Sequence, residues 1–242
     1  MDASRMRRFW DARAREDAFH FVDNREPYKD ADAARFWRNG DRDLQTLLDT
    51  AGVTVRLNDV VLDLGCGVGR LTRGLSRRAA HVIALDVSPE MLRRAQELNE
   101  HLNNVTWLLG DGESLTGVED ASLDGAVSHV VFQHIPDPET TLGYVEELGR
   151  VLKPGAWAAF GLSTDPKVHE PRAEQRGTSR RELLRGLAGR HPRGQNAPEW
   201  LGAAVPLEAL GAVATAAGLT LENIEGAGTQ FTIVRATRSR AS

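Results

Sequence analysis

The chain has little of what staples or anchors a protein. Its 242 residues include one cysteine, Cys66. A single thiol excludes an internal disulfide and a multi-cysteine zinc site. No run of eighteen apolar residues occurs, so nothing reads as a membrane span. The opening residues, MDASRMRRFW, lack the apolar centre of a secretory signal. These absences predict a cytoplasmic protein with no membrane partner. There is no internal repeat and no low-complexity tract. Lysine is scarce: Lys29, Lys153 and Lys167 are three of 30 basic residues, which leaves 27 arginines and hints at a GC-rich bacterial genome. The net charge of −4 argues against a nucleic-acid partner, since phosphate binding wants a basic face. One stretch departs from that average. Lys167 to Arg193 holds eight basic and three acidic residues. It reads as a solvated insertion, or as a patch that attracts an anionic substrate.

What is present fits one large α/β domain. The length is short for two, and 41% hydrophobic content allows a full core. The most informative stretch is Val61 to Leu75, VLDLGCGVGRLTRGL. A β-branched and leucine run ends at Asp63. Gly65, Gly67 and Gly69 follow at alternate positions, and Val68, Leu71 and Leu75 then recur at helical spacing. Strand, glycine turn and helix form the unit that lays a nucleotide-like cofactor across the strand ends of an α/β sheet. Twenty-one residues beyond Gly65, Asp86 closes a second strand-like run, HVIALD. A carboxylate there can accept hydrogen bonds from both hydroxyls of a ribose.

The dinucleotide fingerprint G-x-G-x-x-G requires a third glycine where this chain has Arg70. The pattern D-x-G-x-G-x-G instead resembles motif I of the class I S-adenosylmethionine-dependent methyltransferases. That resemblance covers residues 55–162 by motif and 205–237 by pattern. It implies a Rossmann-like, doubly wound, seven-stranded α/β sheet, mostly parallel, with a C-terminal antiparallel hairpin. S-adenosyl-L-methionine would be the cofactor and S-adenosyl-L-homocysteine the product. Its binding residues would be Asp63, Gly65, Cys66 and Gly67 at the turn, then Asp86 and Val87. Val105 to Leu115, VTWLLGDGESL, would bring Asp111, Gly112 and Glu113 to the adenine; taken alone, Asp-Gly is a common turn pair. Ser128 would join them from the fourth strand. Cys66 is a small residue that fits the turn, with no histidine near it in sequence to activate it.

Alternation of elements agrees with such a fold. Strands are expected near 60–64, 81–85, 105–109, 123–131 and 156–162. Helices are expected near 68–78, 89–102, 138–152 and 206–217. Ser88-Pro89 and Asp137-Pro138 pair an N-cap with proline at the first helical position. Pro154-Gly155 should end the third helix, and Ala227-Gly228 should turn the final hairpin. Residues 1–50 are expected as a helical lid segment and 51–242 as the methyltransferase domain, with an insertion near 163–204.

Leu123 to Pro138, LDGAVSHVVFQHIPDP, would end beside the transferring methyl. It has no Asn/Asp-Pro-Pro-Tyr/Phe box, which the methyltransferases of nucleic-acid bases carry. It also has no carboxylate where metal-dependent catechol methyltransferases hold magnesium. No His-x-x-x-His pair occurs anywhere, so no metal is expected. The candidate bases for a hydroxyl acceptor are His129 and His134, either of which could equally be a packing residue. The first 37 residues hold seven of the 14 aromatics. They are either amphipathic helices packing on the sheet or a lid over a small-molecule acceptor. The expected acceptor contacts are Trp10, Phe21, Tyr28 and Trp37. The expected chemistry is methylation of oxygen or nitrogen on a small organic molecule, in secondary metabolism. Methylation of carbon, a non-catalytic cofactor-binding scaffold and, more remotely, a nicotinamide oxidoreductase are the alternatives. The expected assembly is a monomer or homodimer.

Overall fold

The computed structural model describes residues 3–169 and 192–240. Residues 170–191, most of the arginine-rich stretch and of the expected insertion, lie outside the described residues. Seven strands form one sheet in the order β3-β2-β1-β4-β5-β7-β6. They are β1 (Val60–Leu64), β2 (His81–Asp86), β3 (Val105–Leu109), β4 (Leu123–Ser128), β5 (Leu152–Leu162), β6 (Leu219–Glu225) and β7 (Thr232–Arg238). The first five run parallel, and β7 pairs antiparallel with both β5 and β6. This is the expected topology. The strand order reverses at β1, where β2 lies on one side and β4 on the other. In open α/β sheets ligands bind beyond the carboxyl ends of strands at such a reversal.

Central strands buried on both faces need apolar residues at successive positions, and β1 reads VVLDL. Alternation sends Val61 to one face and Leu62 and Leu64 to the other, into separate clusters. On the first face lies α2 (Ala33–Ala51), with Leu44, Leu47, Leu48 and Ala51 buried against Val61, Leu75 and Val82. On the second lie α5 (Pro138–Val151) and α6 (Leu207–Ala216), through Leu142, Val145, Leu148, Leu210 and Ala214. The expected break at residue 50 therefore falls inside a packed layer: α2 is core. Only α1 (Ala3–Val22) sits over the strand ends.

Both expected N-caps form. The Ser88 hydroxyl accepts from the Met91 N–H and opens α4 (Pro89–Leu98); the Asp137 carboxylate accepts from the Glu139 N–H and opens α5. Two boundaries differ from expectation. Pro154-Gly155 does not stop a helix: α5 ends at Val151 and passes directly into β5, where Gly155 at φ 82° accommodates an irregular pairing. The helix after the glycine turn, α3, covers only Thr72–Ser76. The glycines consume the start of the expected helix because three positive φ values cannot continue it. Among the described residues no helix is long and apolar enough to cross a membrane.

Candidate active site

The floor of the site is the glycine turn. Gly65, Gly67 and Gly69 have φ of 77°, 55° and 86°. An added Cβ would come within 2.4 Å of Val131 at position 65 and 2.9 Å of Val22 at position 67. The amides of Gly65 and Cys66 donate to the Leu85 carbonyl at 2.8 and 3.0 Å, which ties the turn to β2. Asp86 completes the tie. It accepts from the Gly67 N–H and from the Ser88 N–H, both at 2.8 Å. Burial raises its pKa to about 6, against those amide bonds that favour the carboxylate. Asp63 is likewise raised to about 6 by burial, although it accepts from the Thr72 hydroxyl at 2.6 Å. Burial pushes the Cys66 thiol up, so it is no thiolate nucleophile at neutral pH.

The wall is the end of β4. Strand alternation through residue 131 would place His129 and Val131 on one side and Ser128 and Val130 on the other. The strand instead stops at Ser128, and Val130 adopts φ 59°. A β-branched residue there is strained, and such strain collects at functional sites. The break turns His129, Val130 and Val131 together into the cleft, while Ser128 stays buried and donates to the Leu64 carbonyl. His129 is pushed down to about 4, first by burial and then by the Arg70 guanidinium, so it is neutral at pH 7. His134 is also pushed down by burial. Its Nδ1 lies 2.6 Å from the Trp200 carbonyl. A carbonyl only accepts, so Nδ1 carries the proton and Nε2 is left as an acceptor.

The roof is α1 with the segment before and within the short helix Pro198–Leu201. Asp11 of α1 accepts from the Ser88 hydroxyl and the Glu90 N–H, and Arg7 donates to the Gly110 carbonyl. Arg5 pairs with Glu199, whose carboxylate is buried. Arg13 donates to the Arg193 carbonyl, and the Arg193 N–H donates to Glu16. The rings of Trp10, Trp200 and His134 form a cluster of mutual contacts, with centroid distances of 5.5 Å (Trp10–His134), 5.2 Å (His134–Trp200) and 6.3 Å (Trp10–Trp200).

Floor, wall and roof enclose a cavity of about 110 Å³ lined by Asp63, Gly65, Cys66, Gly67, Asp86, Val87, His129 and His134, with Trp10 and Phe21 above. Beside it lies a wider cleft of about 870 Å³. Phe21, Val22, Arg70, His129, Val130 and His134 line both. Ligand sites usually measure about 300–1,000 Å³. The inner cavity is smaller because Val22 sits against Gly67, and Ala3 and Met6 sit against Gly112.

Several expected residues lie outside this cavity. Asp111 is exposed, and both its oxygens cap its own turn by accepting from Glu113, Ser114 and the Ser114 hydroxyl. Gly112 contacts α1, and Glu113 faces solvent. Tyr28 turns away and donates to Glu16. Trp37 packs on Phe36 and under the Arg73 guanidinium, 3.5 Å from its ring centre. Met6, Met91, Phe132, Ile135, Tyr144 and Arg70 line the cavity without having been singled out as site residues. Only Arg70 had a readable signal, standing directly after the third glycine. Among the described residues, no group of three or more His, Cys, Asp or Glu is placed to hold a metal ion.

Residues 62–160 match a family of methyltransferase domains. Over those residues the chain is similar to methyltransferase domains, and its fold is that of S-adenosylmethionine-dependent methyltransferases. It is 34% identical over 170 residues to an uncharacterized 37.1 kDa protein in a transposon of Streptomyces fradiae, matching 66% of this chain and 46% of that one. It is 34% identical over 97 residues to a ubiquinone biosynthesis O-methyltransferase of Xylella fastidiosa, matching 39% of this chain and 38% of the relative. The chain thus spans less than half the length of these curated relatives. Among solved structures it is similar to the N-methyltransferase NodS of Bradyrhizobium japonicum in complex with S-adenosyl-L-homocysteine. There the TM-score is 0.60 at 17% identity, covering 96% of this chain and 98% of that one.

Proposed function

We propose that the chain transfers the methyl group of S-adenosyl-L-methionine to an oxygen or nitrogen of a small organic acceptor, releasing S-adenosyl-L-homocysteine. The observation that carries this reading is the two-part cleft. A glycine-floored cavity with Asp63 and Asp86 at its strand ends opens, past His129 and His134, into a wider cleft. The residues fit such a donor. Gly65 and Gly67 leave room that any Cβ would fill. On this reading Asp86, which lines the cavity, accepts from the ribose hydroxyls, and Val87 packs beside the base. When bound, the sulfonium supplies an activated methyl carbon and a good leaving group. The protein's work is then to bring the acceptor into line and to keep water out.

Phe21, Trp200, Leu201 and Phe231 form an apolar side of the wider cleft, and Gln133, Asn196 and Gln230 bring amides to it. That mixture suits a small, partly polar acceptor. His129 is neutral at pH 7 and stands between the cleft's two parts, so it can take or orient an acceptor proton. His134 is held by Trp10, Trp200 and its own hydrogen bond, and shapes the wall. No metal is needed in this scheme, and the acceptor comes from secondary metabolism. The relatives fit either heteroatom, since one is an O-methyltransferase and one an N-methyltransferase. Calorimetry with S-adenosyl-L-methionine and with NADH tests the donor: binding of the first alone is expected. Turnover to S-adenosyl-L-homocysteine across an acceptor panel separates an enzyme from a scaffold.

A further inference from the structure

The wider cleft holds two features that a donor in the inner cavity does not use. The first is a buried amide. Gln133 lies on the short helical turn Phe132–His134 and is only 5% exposed. Its neighbours fix its place. The His134 ring bonds the Trp200 carbonyl, and the Gln133 carbonyl sits so close to Gly202 that no Cβ would fit there. Yet the Gln133 side-chain amide has no hydrogen-bond partner among the described residues, and its nitrogen and oxygen are not sealed inside the fold. The surface that this residue lines is the wider cleft. Amides buried to this degree are normally paired, and one that both donates and accepts can meet a carbonyl or a hydroxyl there. The second feature is an apolar rim. Among the described residues four large hydrophobic side chains are exposed, and two of them, Leu201 and Phe231, line this one cleft. Phe231 is 67% exposed on a turn that is well bonded. Its N–H donates to the Thr229 hydroxyl at 3.1 Å, and the Thr164 N–H donates to the Thr229 carbonyl at 2.9 Å. Exposed apolar side chains grouped on a fixed surface mark a contact site. The charges of the cleft, by contrast, are already paired. Asp23 holds Arg25, Arg25 holds Asp43, and Asp43 holds Arg70.

We infer that the wider cleft selects an uncharged, amphipathic acceptor: the Gln133 amide hydrogen-bonds a carbonyl or hydroxyl of it, and Leu201 and Phe231 cover its apolar ring or chain. The inference rests on the acceptor reading above and deepens it, by giving the chemistry of the molecule and the residues that select it. A charged acceptor would lose its hydration and find the two acids and two bases of the cleft already paired with each other. An acceptor without an apolar part would leave the rim in water. A site built around a hydrogen bond rejects an analogue that lacks it, because its own polar group is then left unpaired.

The probes are 4-hydroxyphenyl alkyl ketones with chains of increasing length, neutral molecules that carry a phenol, a carbonyl and an apolar tail. The controls are 4-alkylphenols of equal length, which lack the carbonyl, and the same ketones ending in a carboxylate. Each is titrated by calorimetry into protein saturated with S-adenosyl-L-homocysteine, for the wild type, Gln133→Leu, Gln133→Met and Phe231→Ser. Wild-type affinity should rise about two- to fourfold per added methylene, the size of apolar burial. The carbonyl should add about three- to tenfold, the size of one neutral hydrogen bond. The terminal carboxylate should weaken binding about tenfold or more. Both Gln133 variants should abolish the advantage of the carbonyl and keep the dependence on chain length. Phe231→Ser should flatten the dependence on chain length and keep the advantage of the carbonyl. All three should bind S-adenosyl-L-homocysteine as the wild type does, which shows that they are folded. A wild type that binds the carboxylates as well as the neutral ketones overturns the inference. So does affinity independent of chain length, or an advantage of the carbonyl that survives both Gln133 variants. Binding of S-adenosyl-L-homocysteine and of none of the probes overturns it too. Loss of S-adenosyl-L-homocysteine affinity in the variants at an unchanged melting temperature would assign these residues to the donor and also overturn it. A wild type that does not bind S-adenosyl-L-homocysteine at all strikes instead at the donor reading.

Discussion

The floor and the roof of the cleft are built on different principles. The floor is local: Asp63 to Gly67 and Asp86 belong to two successive βα units, joined by amide bonds to Leu85 and Asp86. Its residues need positive φ and absence of side chains, demands that only glycine meets without strain. The roof is assembled from α1 and residues 193–200, which lie about 180 positions apart in sequence. It is held by side-chain ion pairs, one of them on the buried Glu199, and by aromatic edges. The floor is thus fixed by its own backbone, whereas the roof depends on side-chain contacts between distant segments.

Breaking the floor should have the largest effect. Gly67→Val places a branched side chain at φ 55° and within 2.9 Å of Val22. A folded protein with no measurable S-adenosyl-L-methionine binding is the expected result in calorimetry. Retained affinity would show that the donor lies elsewhere. At the wall, His129→Gln should cost about 10²–10⁴-fold in turnover if the imidazole takes the acceptor proton, with donor affinity nearly intact. His134→Gln should instead lower the melting temperature, because the ring packs against both Trp10 and Trp200 and its Nδ1 holds the Trp200 carbonyl. Wild-type turnover in the His129 variant would leave positioning as the whole source of rate.

Asp86→Ala sharpens the comparison within the floor. It removes the proposed ribose acceptor and leaves the Gly67 and Ser88 amides unpaired. The expected loss of donor affinity is about 1.5–3 kcal/mol. The same carboxyl sets a pH dependence. Asp86 is raised to about 6 by burial, so it accepts fully only above that value. Donor affinity should be flat at pH 7–8 and weaken as pH falls through about 6. For the ligand-free fold the sign is opposite. The stability contributed by protonated Asp63 and Asp86 is fully present below 3.8 and lost as pH rises through about 6. Asp63→Asn should remove much of that loss, seen as a smaller gap in melting temperature between pH 5 and pH 7.

The smallest effects belong to the roof. Glu199→Gln removes the partner of Arg5 and should change donor affinity only a few-fold. Hydrogen exchange is the more telling measurement. Donor binding should slow exchange in residues 3–22 and leave 33–51 unchanged, because α2 is core. Equal protection of both would mean that α1 and α2 act as one lid.

These two regions were also unequally legible. Strand, turn and helix around Gly65 were plain because glycine spacing and apolar runs are properties of neighbours in the chain. So were the Ser88 and Asp137 caps. Side-chain directions set by tertiary packing lay beyond that reach. Tyr28 and Trp37 shared the aromatic segment with Trp10 and Phe21, yet packing turned them away from the cleft. Asp111 proved to cap its own turn. Arg70 served only to exclude a dinucleotide, although it lines both parts of the cleft and pairs with Asp43.

By itself, the sequence determined the order of strands and helices, the glycine floor and the family of the fold, since each follows from propensity and short-range pattern. The tertiary structure alone decided three things. It ended β4 at Ser128, through a strained Val130 that brings His129 into the cleft. It placed α2 in the core and α1 over the cleft, through which apolar stripe found a partner. It joined α1 to Glu199 and Trp200 from the far end of the chain. Contacts of that kind depend on which surfaces meet once the sheet has formed, and no local pattern encodes them.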